Sequence, residues 1–279
     1  MAKSTFYTVV SEAIRDFAIH GFDSQDRLEH WMARLEAAMS DVFLPQHVVQ
    51  RKLAEQLTRI FEKTVGRPGQ IMRRHPGVSE FTIRQIAPRL RAELDRRILA
   101  NVTLITLNRR RSREQALQRF AGWATSIPIG GSRAVDKTDE AEKVRRSIAG
   151  LSFVDRRATI DQGHKLVAAI HDIIGIDSGA IALIWRHVKE GPPAYDSRPD
   201  HVARDGKIFV IRDNWAMKAG FMKLDGRQYY DEVPAVAQEI NCRCWAEYLT
   251  NLRDLPPAML TVAGKNELAR VRALIRAAA

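Results

Sequence analysis

The sequence predicts an α+β protein: an N-terminal all-helical domain followed by a small mixed α/β domain with short, antiparallel strands. Two observations support this prediction. In the first half, apolar residues recur at steps of three and four, which is the spacing of one helix face. After a Gly-Gly-Ser break at 130–132, short runs of strand-forming residues alternate with turn signals. We therefore predict a helical domain at 1–126, a linker at 127–139, an α/β domain at 140–255 and a C-terminal helical tail at 256–279.

Three helices are predicted before residue 66. Ser11 is the candidate cap of the first helix, and Gly21 is its stop. Ser24 begins the second helix, Pro45 ends it, and the third stops near Gly66. Each of the last two helices carries one apolar stripe, which we interpret as core: Leu28, Trp31, Leu35, Met39 and Val42 in the second, and Val49, Leu53, Leu57 and Ile60 in the third.

A basic loop is predicted at 67–77, followed by a long helix that Ser79 caps and in which Pro88 marks a kink or a second start. One face of this helix is basic, with ten arginines against three acidic residues between Arg84 and Arg119. The surplus indicates a surface for phosphates or an acidic partner, and the alternative is a solvated helix face. The predicted binding residues are Arg96, Arg97, Arg109, Arg110, Arg111 and Arg113.

In the second half, one helix is predicted from Thr138 or Asp139 to Ile148, and another from Asp155 to Ile174, where Gly175 ends it. Strands are predicted at 180–185, 207–212 and 242–249. The third strand rests on the alternation of Cys242, Cys244, Ala246 and Tyr248 with bulkier or charged neighbours. A peripheral helix is predicted at 265–279.

The composition is that of a globular protein with a polyanionic partner. Of 279 residues, 45% are hydrophobic and 28% are charged, which argues against wholesale disorder, while a net charge of +11 favours nucleic acid or an acidic partner. The alternative is a basic protein that binds no polyanion. No apolar run approaches the roughly 20 residues that cross a bilayer, and the N-terminus lacks a signal-peptide core, so we expect no membrane association. Two cysteines one residue apart favour a reducing cytoplasm.

The stretch from Trp185 to Trp245 contains the residues that could carry chemistry. Two histidines and two cysteines (His187, His201, Cys242 and Cys244) suit a tetrahedral zinc site. Zinc knuckles, however, present their cysteine pairs on a turn, and Cys-x-Cys in an extended strand lacks that turn. We therefore predict no metal and no cofactor, with both cysteines as small buried strand residues and Arg243 on the opposite face.

An enzymatic interpretation is not favoured either. His187, Arg198, Asp200 and His201 could cleave RNA by general acid–base chemistry, but their spacing is not one that such chemistry demands. The sequence has no nucleophile elbow and no dinucleotide fingerprint. We predict no catalytic residue.

The same stretch resembles the phage Mu F-like minor head proteins, which act in head morphogenesis of tailed phages. The resemblance covers residues 140–250. Where many members of the family have His-Pro before Asn-Cys-Arg-Cys, this chain has Glu239 and Ile240. The matching positions are Trp185, Arg186, Arg198, Asp200, His201, Asp205, Gly206, Pro234, Asn241, Cys242, Arg243 and Cys244.

The resemblance implies a structural virion component present in few copies, at the portal and the capsid interior, with host cytoplasm as its location during assembly. The implied partners are the portal protein and the major capsid or scaffold protein, and the basic helix adds double-stranded DNA, bound without sequence preference. The alternative function is a nuclease or an ADP-ribosyltransferase-like enzyme in the C-terminal domain.

Overall fold

The computed structural model describes residues 2–132, 139–149, 151, 154–188 and 198–278. Its helices are α1 (Ala2–His20), α2 (Gln25–Val42), α3 (Gln46–Val65), α4 (Pro68–Arg74), α5 (Glu80–Thr125), α6 (Asp139–Ala149), α7 (Val154–Asp177), α8 (Pro199–Arg204), α9 (Trp215–Lys218) and α10 (Val262–Ala278). Its strands are β1 (Ala182–Arg186), β2 (Ile208–Val210) and β3 (Trp245–Leu249). None of the helices in these ranges is long and apolar enough to cross a membrane.

The three strands form one antiparallel sheet in the order β2-β1-β3. In the register, Leu183 of β1 lies opposite Phe209 of β2 and Tyr248 of β3. The predicted α+β class is confirmed, because helices fill the N-terminal half and the sheet lies in the C-terminal part.

The chain divides into two compact units, each made of two separate segments. Unit 1 is 1–55 with 98–160, and unit 2 is 56–97 with 161–279. Helices α3, α5 and α7 contribute residues to both units. The boundary predicted at 127–139 lies inside the sequence range of unit 1, so the compact units and the predicted domains do not coincide.

Unit 1 has a core built from helix stripes. The predicted stripe of α2 is buried at Leu28, Trp31, Leu35 and Met39, as one face of a helix requires. Phe17 of α1 packs edge-on against Phe120 and Trp123 of α5. Ser24 caps α2 as predicted, since its hydroxyl accepts a hydrogen bond from the Arg27 amide.

Two predicted helix boundaries in the first hundred residues are wrong. Helix α1 begins at Ala2, so Ser11 lies inside it and is not a cap. The predicted loop at 67–77 contains α4, in which Pro68 occupies the first turn, where its missing N–H costs nothing. The predicted long helix is present as α5, and Ser79 accepts from the Thr82 amide at its start.

The described part of the predicted linker, 127–132, is attached to α1. The amides of Gly130 and Ser132 donate to the carbonyls of His20 and Ala18. At Gly131 the backbone has φ +72°, and a Cβ would lie 2.3 Å from the Ala18 carbonyl oxygen. The glycine therefore permits close backbone contact as well as breaking the helix pattern. Residues 133–138, including the predicted cap Thr138, lie outside the described residues.

Unit 2 places apolar clusters on both faces of its sheet. Leu183 and Trp185 of β1 belong to one cluster, while Ala182 and Ile184 pack with the other. Gly175 does not end α7, which continues to Asp177. Gly175 instead leaves space for the Tyr248 side chain, because a Cβ at this position would lie 2.4 Å from the tyrosine ring.

Candidate functional site

The candidate site lies in unit 2, where the end of β1, helix α8 and the segment before β3 meet. His201 Nδ1 lies 3.4 Å from Cys242 Sγ and 3.6 Å from Cys244 Sγ. His187 Nδ1 lies 3.5 Å from Cys244 Sγ. The structure thus brings together the two histidines and two cysteines that the sequence analysis considered as a set.

The cysteines precede β3 instead of lying within it, which corrects the predicted strand at 242–249. Asn241 has φ +60°, a left-handed conformation that asparagine tolerates better than most residues. Its amide donates to the carboxylate of Asp161 at 2.6 Å, which fixes the turn. The turn ends at Cys242, whose amide donates to the Glu239 carbonyl, and Cys244 lies two residues beyond it. The two cysteines therefore lie outside the strand in which they were predicted. Both cysteines are buried and Arg243 is exposed, as predicted.

The second nitrogen of His201 faces acidic groups. His201 Nε2 lies 3.3 Å from Glu239 Oε2 and 3.9 Å from Asp200 Oδ2. Arg198 forms an ion pair with Glu239 at 2.9 Å and donates to the Ile240 carbonyl at 2.9 Å. Arg198 therefore holds the loop that carries Glu239 beside the histidine.

Asp205 and Gly206 attach the turn after α8 to the end of β1. The Asp205 carboxylate accepts from the His187 amide at 3.0 Å. The Gly206 amide donates to the Trp185 carbonyl at 2.8 Å, and Gly206 adopts φ +76°, which favours glycine. These two motif positions orient the backbone from which His187 projects.

The two thiols behave as a coupled pair. A hydrogen bond with Cys244 lowers the pKa of Cys242 to about 5, and the nearby His201 acts in the same direction. The same hydrogen bond and burial raise the pKa of Cys244, whereas the Trp185 indole acts to lower it. The Cys242 thiol is therefore the more acidic of the two.

Arg109 has a structural role in unit 1. Its guanidinium forms a bidentate ion pair with Asp155, with Nη2 to Oδ2 at 2.5 Å, and donates to the Leu44 carbonyl at 2.8 Å. It also lies 4.7 Å from the centre of the Phe43 ring, and its side chain is 12% exposed. These contacts remove Arg109 from the predicted phosphate-binding set.

The other predicted arginines are more accessible. Arg110 is exposed and pairs with Glu114 at 2.9 Å, and Arg113 reaches the Ser40 hydroxyl at 3.3 Å. Arg111 is exposed and has no ion-pair partner within the part of the chain that the structure describes. In unit 2, Arg96 and Arg97 both pair with Glu93, which offsets part of their charge.

Sequence reasoning missed a buried polar network in unit 2. His75 Nε2 lies 2.9 Å from His171 Nδ1, and the His75 ring stacks on both His171 and Tyr248. The Tyr248 and Tyr230 hydroxyls both donate to Asp172. The partners are separated by up to 96 residues, and no local motif marks them.

An open cleft of about 1000 Å³ in unit 2 was also not predicted. Its lining combines four arginines with Trp245 and two acidic residues; the arginines are Arg73, Arg74, Arg243 and Arg253. The Arg74 guanidinium lies 5.1 Å from the centre of a Trp245 ring. Because the lining comes from four separate segments, only the tertiary structure reveals the cleft.

Comparison with protein families, with curated proteins and with solved structures found no match to this chain.

Proposed function

We propose that this protein is a structural minor head protein of a tailed phage, which acts in head assembly or DNA ejection without catalytic turnover. It binds the portal protein and the major capsid or scaffold protein, with packaged double-stranded DNA as a further partner. Its location is the virion, after assembly in the host cytoplasm. The observation that carries the proposal is that Mu F-like motif positions distant in sequence meet in unit 2. Trp185 contacts His201 and Gly206, and His201 contacts Cys242 and Cys244. Three further motif positions bind residues beside this group: Arg198, Asp205 and Asn241.

The burial of these groups favours a structural role over catalysis. His201 is 2% exposed, and Cys242 and Cys244 are similarly inaccessible. A general acid, base or nucleophile must reach its substrate, at least through one water molecule. The motif is therefore better suited to stabilising the unit than to attacking RNA or NAD.

The test of this function is co-purification. We expect the protein in purified procapsids and virions, retained after a high-salt wash that removes loosely bound proteins, and detected by mass spectrometry. Absence from both particles would contradict the proposal. Turnover of RNA or NAD by the purified protein that His201→Ala abolishes would instead favour the enzymatic alternative.

A charge-reversal experiment tests the basic part of α5 in unit 1. We expect the double variant Arg110→Glu, Arg111→Glu to bind procapsids or DNA more weakly than the wild type. If both side chains contact phosphates, the slope of log K against log salt should fall by about 2, since each contact contributes roughly 0.9. Measurement is by fluorescence anisotropy on a random duplex over a salt series.

Arg84→Glu is the control, because Arg84 is an exposed arginine of the same helix that does not belong to the predicted binding residues. Arg109 is left unchanged, because its loss would break the ion pair with Asp155. An unchanged affinity together with an unchanged salt slope would remove Arg110 and Arg111 from the binding surface.

A further inference from the structure

We propose that His187, His201, Cys242 and Cys244 bind one structural zinc ion in unit 2. The inference concerns a metal site and does not depend on the proposed role in phage heads. Its four donor atoms are two imidazole Nδ1 atoms and two Sγ atoms, the Cys₂His₂ set typical of structural zinc.

Three sulfur–nitrogen distances agree with those of a zinc tetrahedron. Zinc–sulfur bonds of about 2.3 Å and zinc–nitrogen bonds of about 2.0–2.1 Å place S and N about 3.5–3.6 Å apart at the tetrahedral angle. The three observed S···N distances are 3.4, 3.5 and 3.6 Å. The donor atoms of His201, Cys242 and Cys244 all lie within 4.8 Å of one another. His187 lies outside that group of three, so its Nδ1, which is 3.5 Å from Cys244 Sγ, must move toward the other donors to complete the tetrahedron.

Burial distinguishes this cluster from a surface group of polar residues. His187, His201, Cys242 and Cys244 are 9%, 2%, 2% and 3% exposed, respectively. Thiolate and imidazole donors favour zinc over magnesium or calcium, which prefer oxygen. Four protein donors leave no open coordination position, so the site is structural and not catalytic.

The groups around the donors support metal binding. Nδ1 of His201 faces the sulfurs, and Nε2 lies 3.3 Å from Glu239 Oε2 without making a hydrogen bond. Metal binding at Nδ1 would leave the proton on Nε2, and a small rotation would then allow the hydrogen bond of a carboxylate–histidine–zinc triad. Asp205 fixes the backbone of His187 through its amide. The Trp185 indole N–H is buried and has no hydrogen-bond partner among the described residues. A metal-bound thiolate would be an acceptor for that donor.

The architecture of unit 2 explains why such an ion would stabilise it. The sheet has three strands of five, three and five residues. The ion would join three segments that are distant in sequence: the end of β1, helix α8 and the turn before β3.

The experiment is metal analysis of the full-length chain, expressed with zinc and purified without chelator. We expect one zinc ion per chain by elemental mass spectrometry, released when a mercurial reagent titrates both thiols. Cobalt exchange should give the absorption of a tetrahedral thiolate complex. The metal-free protein should melt at a lower temperature and recover on addition of zinc.

Variants separate this assignment from adventitious binding. We expect the double variant Cys242→Ser, Cys244→Ser and the single variant His201→Ala to lose the zinc, whereas His164→Ala, at an exposed histidine of unit 2, keeps it. Because ligand variants can fail to fold, the cobalt spectrum of the wild type provides an independent test. Zinc-free wild-type protein after zinc loading, a Cys242–Cys244 disulfide in freshly purified protein, or full zinc retention by the double variant would each overturn the proposal.

Discussion

Replacing Trp185 with alanine is expected to lower the free energy of unfolding of unit 2 by about 3–5 kcal/mol, the usual cost of removing a large aromatic side chain from a core. The Trp185 side chain is fully buried. Its ring makes edge contacts with His201 and Phe209 at centroid distances of 5.9 and 6.1 Å, and the Arg204 guanidinium lies 5.2 Å from it. Its loss would leave a cavity beside the Cys/His cluster.

Hydrogen–deuterium exchange is the appropriate measurement, because it reports on peptides of β1–β3 separately from those of α1 and α2. We expect faster exchange in the sheet of Trp185→Ala and a smaller effect in Trp185→Phe, which retains much of the ring volume. Trp215→Ala is the control within the same unit, since Trp215 is 43% exposed. Sheet exchange at the wild-type rate in Trp185→Ala would contradict a core role for this residue.

Acid should destabilise unit 2 through the His75–His171 pair. Burial lowers the pKa of His75 to about 4 and that of His171 to about 3, and the Arg74 guanidinium adds to both shifts. In the unfolded state the histidines bind protons near pH 6.5. In the folded state they bind protons only at lower pH. The unfolded state then holds more protons, so the free energy of unfolding falls with pH from about 6.5 toward about 4, by an amount on the order of a few kcal/mol.

Asp172 opposes this trend. Burial raises its pKa to about 6, although hydrogen bonds from Tyr248 and Tyr230 act in the other direction. Between the ordinary pKa of an aspartate and about pH 6, Asp172 holds a proton in the folded state but not in the unfolded state. Asp172 therefore adds to the free energy of unfolding at low pH, and this stabilisation is lost as pH rises. We therefore expect Asp172→Asn to make the acid destabilisation steeper.

Urea denaturation at several pH values provides the measurement. The double variant His75→Gln, His171→Asn preserves polar groups near the contacting Nε2 and Nδ1 atoms but does not titrate, so its stability should vary less below pH 6.5. His164→Gln is the control, because it replaces an exposed histidine of the same helix α7. Equal pH profiles for wild type and double variant would rule out the pair as the source of acid lability.

Much of the fold could be predicted from periodicity, because core stripes repeat within a helix or strand. The stripe at Leu28, Trp31, Leu35 and Met39 depends only on local spacing, and all four side chains are buried. Gly175 shows the limit of local signals. Glycine commonly ends helices, but here Tyr248, 73 positions later in the chain, requires the space.

The candidate site illustrates the same limit. The sequence identified the residue types at His187, His201, Cys242 and Cys244, but not the turn at Asn241 that precedes the second cysteine. An asparagine directly before the pair was the available signal, because asparagine tolerates the left-handed conformation. For Arg109, no sequence feature distinguished it from its neighbours, since its partner Asp155 lies 46 positions away.

The discontinuous units also have a consequence for biosynthesis. Unit 1 needs residues up to 160, and the first segment of unit 2 needs residues that follow 160. While the ribosome is still translating the middle of the chain, residues 56–97 therefore lack the segment with which they form unit 2. Their apolar side chains can then bind chaperones or other nascent chains. A truncated gene that stops at residue 126 would encode parts of both units and the whole of neither, so its product should be insoluble or rapidly degraded.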